Sequence, residues 1–350
     1  MSRVLFILKR REDYNATVHS HIGMSTGLYN SAKFMNDMLV QNGIESHLEV
    51  VADYNRIDRQ CWLYKPTHVI IEALWVIPPK FAELIRLHPN ITWVIRVHSE
   101  MPFLAGEGRA LDWLADYTDF KNIVIAMNAP RMLGEIRKFL QIRNKWTDEE
   151  AERRAFYLPN YYPQDYKSKK FDKNKDHVDI GCFGAIRPLK NHLLQAFAAI
   201  EFADSIGKKC KFHVNAGRIE MQGQPAINNL KNVFQQLHGT GHELVNHQWR
   251  PREEFLDLCA EMDIGMQCNF SETFNIVGAD LISQGVPLIA NHAEIPWSVE
   301  AFCAQPADSQ DIIKKLKLAY NWPQANVKAH QWSLKNYTNK TAKIWTKYFS

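Results

Sequence analysis

The chain has 350 residues, 46% of them hydrophobic and 23% charged, and 42 Lys and Arg against 38 Asp and Glu leave a net charge of +4. This is ordinary globular composition, which excludes disorder, collagen and coiled coil as descriptions of the whole chain, and at about 150 residues per domain it suggests two domains. The mild basicity is compatible with a polyanionic ligand but does not argue for one.

In chain order, short apolar runs alternate with segments of helical period. Strands are expected over 3–8, 47–51, 68–71, 93–97, 123–127, 179–183, 211–214, 263–268 and 286–290. Helices are expected over 27–42, 131–140, 192–206, 251–261 and 311–320, among others. Continuous apolar strands separated by helices point to parallel sheets covered on both faces. After Leu158-Pro159-Asn160-Tyr161-Tyr162-Pro163, the stretch 167–175 holds five lysines against Asp172 and no strand pattern, and reads as a linker. The expected division is a first Rossmann-like domain over 1–165, a second over 166–325, and a C-terminal helix over 326–350. Within that last part, 332–349 is amphipathic, with Trp332, Leu334, Tyr337, Ile344, Trp345 and Phe349 available to pack.

The six cysteines (Cys61, Cys182, Cys210, Cys259, Cys268, Cys303) have neither metal-ligand spacing nor a disulfide framework, and read as reduced, buried thiols. The first apolar run, Val4 to Leu8, is shorter than a signal peptide requires, and no apolar run approaches about 18 residues. A cytoplasmic location without an integral membrane segment is the expectation.

Doubly wound sheets bind ligands at the carboxyl ends of their strands. No Gly-x-Gly-x-x-Gly follows a strand and no Gly-x4-Gly-Lys-Ser/Thr occurs, which demotes a nicotinamide dehydrogenase and a P-loop NTPase. An Asp-x-Asp pair, which would carry a divalent metal on a sugar-nucleotide diphosphate, is missing too, so no metal is expected. The informative segment runs from Ser271 to Ile289. It follows the strand at 263–268 and opens a helix whose first free amides fall near Phe274, Asn275 and Ile276, a ready site for an anion or a hydroxyl. Glu272 sits at the mouth of this helix and Asp280 about two turns along it. The plainer reading is a first-turn Glu favouring the helix dipole, plus a solvated Asp.

This segment resembles the signature of the retaining, group-1 glycosyltransferase family of GT-B fold: a Glu, seven residues, another Glu, then small-x-Gly-x-Pro-Val-Ile. Glu272, Phe274, Gly285, Pro287 and Ile289 match. Asp280 stands where the second Glu is usual and is a methylene shorter; Asn275 stands where a Gly usually follows the Phe. Upstream, Asp179-Ile-Gly-Cys-Phe183-Gly184-Ala-Ile-Arg187-Pro-Leu-Lys190 is similar to the family's strand, Gly-Arg turn and downstream Lys. Ala185 takes the usual Arg position and Arg187 lies two residues on. A Gly at a strand end lets backbone approach phosphate, and Arg187 with Lys190 supplies two cations. Weaker likenesses are the glycine loop Gly23 to Gly27, Val94-Ile-Arg-Val-His98, Leu158-Pro-Asn160, and the base loop around Trp249.

The resemblance implies a GT-B fold and a retaining, metal-independent transfer of a sugar from a nucleotide-diphosphate sugar, a UDP-sugar above others, to an acceptor hydroxyl. It gives His98 and Glu272 to the donor sugar, and Asp280 to the ribose. Gly27, Gly184, Arg187, Lys190, Trp249, Thr273, Phe274, Asn275 and Ile276 fall to the rest of the nucleotide-sugar. His19 and His21 are lesser candidates. It also implies a C-terminal helix crossing back to the first domain.

The acceptor class stays open between a saccharide and a modified base of DNA. Basic residues gather in 9–11, 131–154, 167–175 and the tail 326–350, interleaved with aromatics, which would suit a polyanion. A lipid surface is disfavoured, because 27–42 has Lys33 as its one cation. The alternatives are a GT-B sugar-nucleotide epimerase, a sugar phosphorylase, and a non-catalytic nucleotide-sugar or polyanion-binding module.

Overall fold

A computed structural model of the protein describes residues 2–10 and 27–350. They divide into two units: one runs to Pro163 and is completed by Thr338–Ser350, and the other is Gln164–Tyr337.

The first unit is built from β1 (Arg3–Lys9), α1 (Gly27–Gln41), β2 (Glu45–Val51), α2 (Ile57–Tyr64), β3 (His68–Glu72), α3 (Pro78–Leu87), β4 (Thr92–Val97), α4 (Met101–Leu104), α5 (Ala110–Tyr117), β5 (Ile123–Met127), α6 (Pro130–Asn144), α7 (Asp148–Arg154) and β6 (Ala155–Tyr157). Its six strands pair in parallel in the order β2-β1-β3-β4-β5-β6. The central strands β1, β3, β4 and β5 are mostly apolar on both faces because helices cover both, whereas the edge strand β2 is largely uncovered. The pleat sends Val4, Phe6, Leu8, Ile70, Val94 and Val124 into one cluster with Met35, Met38 and Leu39 of α1. It sends Leu5, Ile7, Ile71, Ile95 and Ile125 into another, with Phe81, Leu114, Ile136 and Leu140. Trp345 and Phe349 join the first cluster: the Trp345 ring stacks on Phe6 at 5.9 Å and its indole N–H donates to the Pro159 carbonyl at 2.8 Å.

The second unit comprises β7 (His177–Gly181), α8 (His192–Ser205), β8 (Lys209–Val214), α9 (Gly223–Gln236), β9 (Glu243–Asn246), α10 (Arg252–Glu261), β10 (Ile264–Gln267), α11 (Ile276–Ser283), β11 (Leu288–Ala290) and α12 (Ser309–Asn321), followed by α13 (Pro323–Phe349). Its five strands are parallel in the order β11-β10-β7-β8-β9. The first strand is thus central, with the next two on one side and the last two on the other. Ala199, Phe202, Ile312 and Leu316 of α8 and α12 cover Ile180, Phe212, Ile264 and Ile289. The final helix starts at Pro323, earlier than the amphipathic stretch at 332, and a proline suits a first helical position. There Asn326 bonds both the N–H and the C=O of Leu288, at 2.9 Å each, completing the edge strand β11.

Two short strands have no counterpart among those expected, β6 and β9. Each is an edge strand of three or four residues, too short to show a period. Gly285 follows α11 with φ +77°, and a Cβ there would lie 2.9 Å from Lys167 O and from Lys169 N.

Candidate functional site

In the second unit β7 and β10 are neighbours, and from their carboxyl ends the chain leaves in opposite directions. An open parallel sheet leaves its crevice at such a switch point. The segment after β7 carries Gly184, Arg187 and Lys190, and the segment after β10 carries Glu272. Gly184 has φ +119°, which favours glycine, and its N–H donates to Asn215 Oδ1 at 2.7 Å. Ile186 then pairs with Ile219, and its carbonyl comes so near α9 that a Cβ on Gly223 would sit 2.0 Å from it. With Ile186 pinned, Arg187 reaches Glu272: Nη2 lies 3.6 Å from Oε1, while Nη1 lies 3.5 Å from Glu220 Oε2. Lys190 Nζ contacts the same Glu272 Oε1, and Asn269 Nδ2 donates to it at 3.3 Å. Lys190 is buried; burial pushes its ammonium pKa down, and the Glu272 carboxylate opposes that shift.

Side-chain amides hold the two segments together. Gln267, fully buried, donates from Nε2 to the Phe183 carbonyl at 3.0 Å and accepts at Oε1 from Asn275 and Asn269, at 2.7 and 3.1 Å. Gln195 donates to the Lys190 carbonyl at 2.9 Å and accepts the Cys268 N–H at 2.9 Å. Glu294, beyond β11, accepts the Glu272 N–H at 2.9 Å. A buried amide lattice of this kind fixes the backbone on which the charged side chains stand.

α11 begins at Ile276, so the free amides start there rather than at Phe274. Asn275 is the cap: its φ is +61°, and its Oδ1 accepts the Gly278 N–H at 2.7 Å. Left-handed backbone is tolerated by Asn as well as by Gly, which accounts for Asn275 at this position. Its side chain turns into the protein toward Gln267 and Gly278. Thr273 and Phe274 are buried, Phe274 packing 5.7 Å from Tyr337 and 6.1 Å from Trp297. Asp280 is 1% exposed and pairs with Arg252 Nη2 at 2.8 Å, so it is not a solvated acid. Nor is Glu272 at an open mouth, its side chain being 10% exposed. Trp249 is half-buried beneath the Arg218 guanidinium, 5.7 Å from the ring centroid.

In the first unit His98 follows β4, and its Nε2 meets the fully buried Glu72 on β3. Arg96 Nη1 lies 3.0 and 3.1 Å from the two oxygens of Glu72, and Asn128 Nδ2 lies 3.3 Å from His98 Nδ1. Burial opposes ionisation of Glu72, but Arg96 and His98 outweigh it and hold the carboxyl below its usual range. Gly27 is the exposed first residue of α1. His19, His21, Arg11 and residues 23–26 of the glycine loop lie outside the described residues.

Three of the five lysines of 167–175 are engaged within their own unit, while Lys167 and Lys170 are exposed. Lys169 Nζ donates to the Ala260 and Met262 carbonyls at 2.7 and 2.5 Å, Lys175 pairs with Asp179 and Asp263 at 2.9 and 3.2 Å, and Lys173 sits over Tyr320. These carbonyls lie at the end of α10, where a helix leaves acceptors unfilled.

Sequence reasoning passed over Glu72, Arg96, Arg218, Glu220, Gln267 and Glu294. Glu72 and Arg96 carried a usable signal, as charges inside otherwise apolar strands. Arg218 and Glu220 follow Gly217 a few residues past the end of β8, as Arg187 follows Gly184 past the end of β7.

No family model matches this chain, and no curated protein matches it. Solved structures do. A UDP-forming α,α-trehalose-phosphate synthase from Burkholderia vietnamiensis matches with a TM-score of 0.67 at 11% identity, over 99% of this chain and 96% of its own. Sucrose-phosphate synthase from Thermosynechococcus elongatus matches with a TM-score of 0.67 at 10% identity, over 100% of this chain and 98% of its own. HepE of Anabaena, in complex with UDP, matches with a TM-score of 0.61 at 12% identity, over 99% of this chain and 100% of its own. At such identities the likeness establishes the fold, which is the GT-B fold that the signature led us to expect.

Proposed function

We propose that the chain is a retaining glycosyltransferase that takes a sugar from a UDP-sugar and places it on an acceptor hydroxyl, with a saccharide as the acceptor class. The observation that carries this reading is the meeting of Arg187, Lys190 and Glu272 at the β7/β10 switch point. Two cations beside a helix start suit a diphosphate, and a carboxylate next to them suits the hydroxyls of the sugar it carries. The similar structures, a UDP-forming synthase and a UDP complex, support uracil as the base.

In this reading Arg187, Lys190 and the first amides of α11 stabilise the charge that develops on the departing diphosphate. Glu272 accepts from a sugar hydroxyl, and the buried Glu72 holds the ring of His98, the residue that the family resemblance gives to the donor sugar. Asp280, which the family resemblance gives to the ribose, is braced by Arg252, and Trp249 falls to the base. The acceptor oxygen bonds to the anomeric carbon on the face the diphosphate leaves. The bond from that carbon to the phosphate oxygen breaks, and the acceptor proton passes to that oxygen.

The test is turnover of a panel of UDP-sugars with and without saccharide acceptors. Glu272→Ala is expected to lower kcat/KM by about a hundredfold or more, measured at a temperature where the variant is still folded. Unchanged kcat/KM in this variant would remove Glu272 from the site. Donor turnover without any acceptor, yielding an isomeric sugar nucleotide, would favour the epimerase instead.

A further inference from the structure

We propose that the Glu272 carboxylate is the group by which this site tells its donor from its spent product, disfavouring a free nucleoside diphosphate and so promoting its release. The inference rests on the reading of Arg187 and Lys190 as the diphosphate clamp.

Among the described residues, the cations of the clamp already face carboxylates before any ligand arrives. Arg187 lies between Glu272 and Glu220, at 3.6 and 3.5 Å. Arg218 is already paired with Glu220 at 2.5 Å, and Lys190 is buried against Glu272. Glu294 adds a further carboxylate on the backbone side of Glu272. A diphosphate entering this cluster gains two cations but also comes close to a carboxylate that already shares them, in a setting where water screens little.

Donor and product differ in how they meet that carboxylate. Esterified to a sugar, the diphosphate carries about two negative charges; once released, its terminal phosphate ionises a second time near pH 6 and adds nearly one more. The donor also brings sugar hydroxyls. Among the described residues, the polar contacts of the Glu272 carboxylate fall on Oε1, from Lys190, Arg187 and Asn269. Oε2 makes none of them, so it can accept a hydroxyl without releasing the cations. The donor therefore compensates Glu272 with a hydrogen bond, whereas the product meets it with extra charge. Binding energy spent in this way favours turnover over product retention.

The experiment is calorimetric titration at pH 7.5 of UDP, UDP-glucose and inorganic pyrophosphate into wild type, Glu272→Gln, Glu272→Ala and Lys190→Ala. Both Glu272 variants are expected to bind UDP about tenfold more tightly than wild type. UDP-glucose should gain less or lose affinity, so that preference moves toward the product. Pyrophosphate, which has the charge without the base, should follow UDP. If Lys190→Ala weakens UDP binding while neither Glu272 variant tightens it, the cations hold the diphosphate and the proposed role of Glu272 is wrong. If Lys190→Ala leaves UDP and pyrophosphate affinity unchanged, the clamp itself is misplaced, and the proposed donor site falls with this inference.

Discussion

Arg187 and Lys190 converge on a single oxygen of Glu272, so each contributes to the same small volume and neither can replace the other. Arg187→Ala and Lys190→Ala are each expected to weaken UDP binding by about tenfold or more, since a charge-assisted contact to phosphate is lost. Calorimetry giving wild-type affinity in both variants would place the phosphates elsewhere. His192, two residues beyond Lys190, is buried, and burial together with Lys190 and Arg187 pushes its pKa down to about 3. In the unfolded chain a histidine titrates near 6.5, so between the two values the unfolded state binds a proton that the folded state does not. The stability contributed by neutral His192 is therefore full above about pH 6.5 and is lost as the pH falls toward 3. His192→Leu should lose stability less steeply than wild type below pH 6.5, by up to about 1.4 kcal/mol per pH unit. Urea melts from pH 7 to pH 5 that run parallel for the two proteins would contradict this.

Among the elements, α11 and the chain that passes its end depend on one backbone position. Gly285 combines φ +77° with backbone atoms of residues 167–169 at 2.9 Å, and Lys167 N donates to the Ser283 carbonyl at 2.6 Å. Gly285→Ala must bear both a left-handed alanine and a backbone collision. Gly207 has φ +71° with nothing within 4 Å of its Cβ position, so Gly207→Ala bears the first cost alone. We expect about 1 kcal/mol of destabilisation for Gly207→Ala and about 3 kcal/mol or more for Gly285→Ala by urea denaturation. Equal losses would mean that the close approach of 167–169 is unimportant. The same segment shows why a lysine run is a poor guide to a polyanion surface. Lys169, Lys173 and Lys175 are committed to carbonyls, carboxylates and a tyrosine ring of their own unit.

For the whole molecule, two parallel sheets and a match over nearly its full length with synthases of known structure make the fold a settled matter. The chemistry proposed on it draws its positive charge from Arg187, Lys190 and helix amides, and the sequence has no Asp-x-Asp pair to hold a divalent ion on a diphosphate. Transfer is accordingly expected to survive EDTA with kcat/KM within about twofold of the untreated enzyme. Loss of activity that Mn²⁺ or Mg²⁺ restores would show that a metal shares the work assigned to the two cations. Among the described residues no helix is long and apolar enough to cross a membrane.

The parallel α/β class was legible in the sequence, because a strand covered on both faces must be apolar at most positions and a covering helix must repeat near 3.6; both are local properties of the chain. The short edge strands β6 and β9 were not legible, since three or four residues carry no measurable period. Of the candidate site, the family resemblance supplied the residues but not their partners. That Arg187 reaches Glu272 depends on Ile186 being held beside Ile219 and Gly223, and that Asp280 is buried depends on Arg252 from another helix. Likewise Glu72 lies 26 residues before the His98 it supports. Residues distant in sequence meet only when strand order places their loops together, so the choice of partners, and with it the balance of charge, belongs to the tertiary structure.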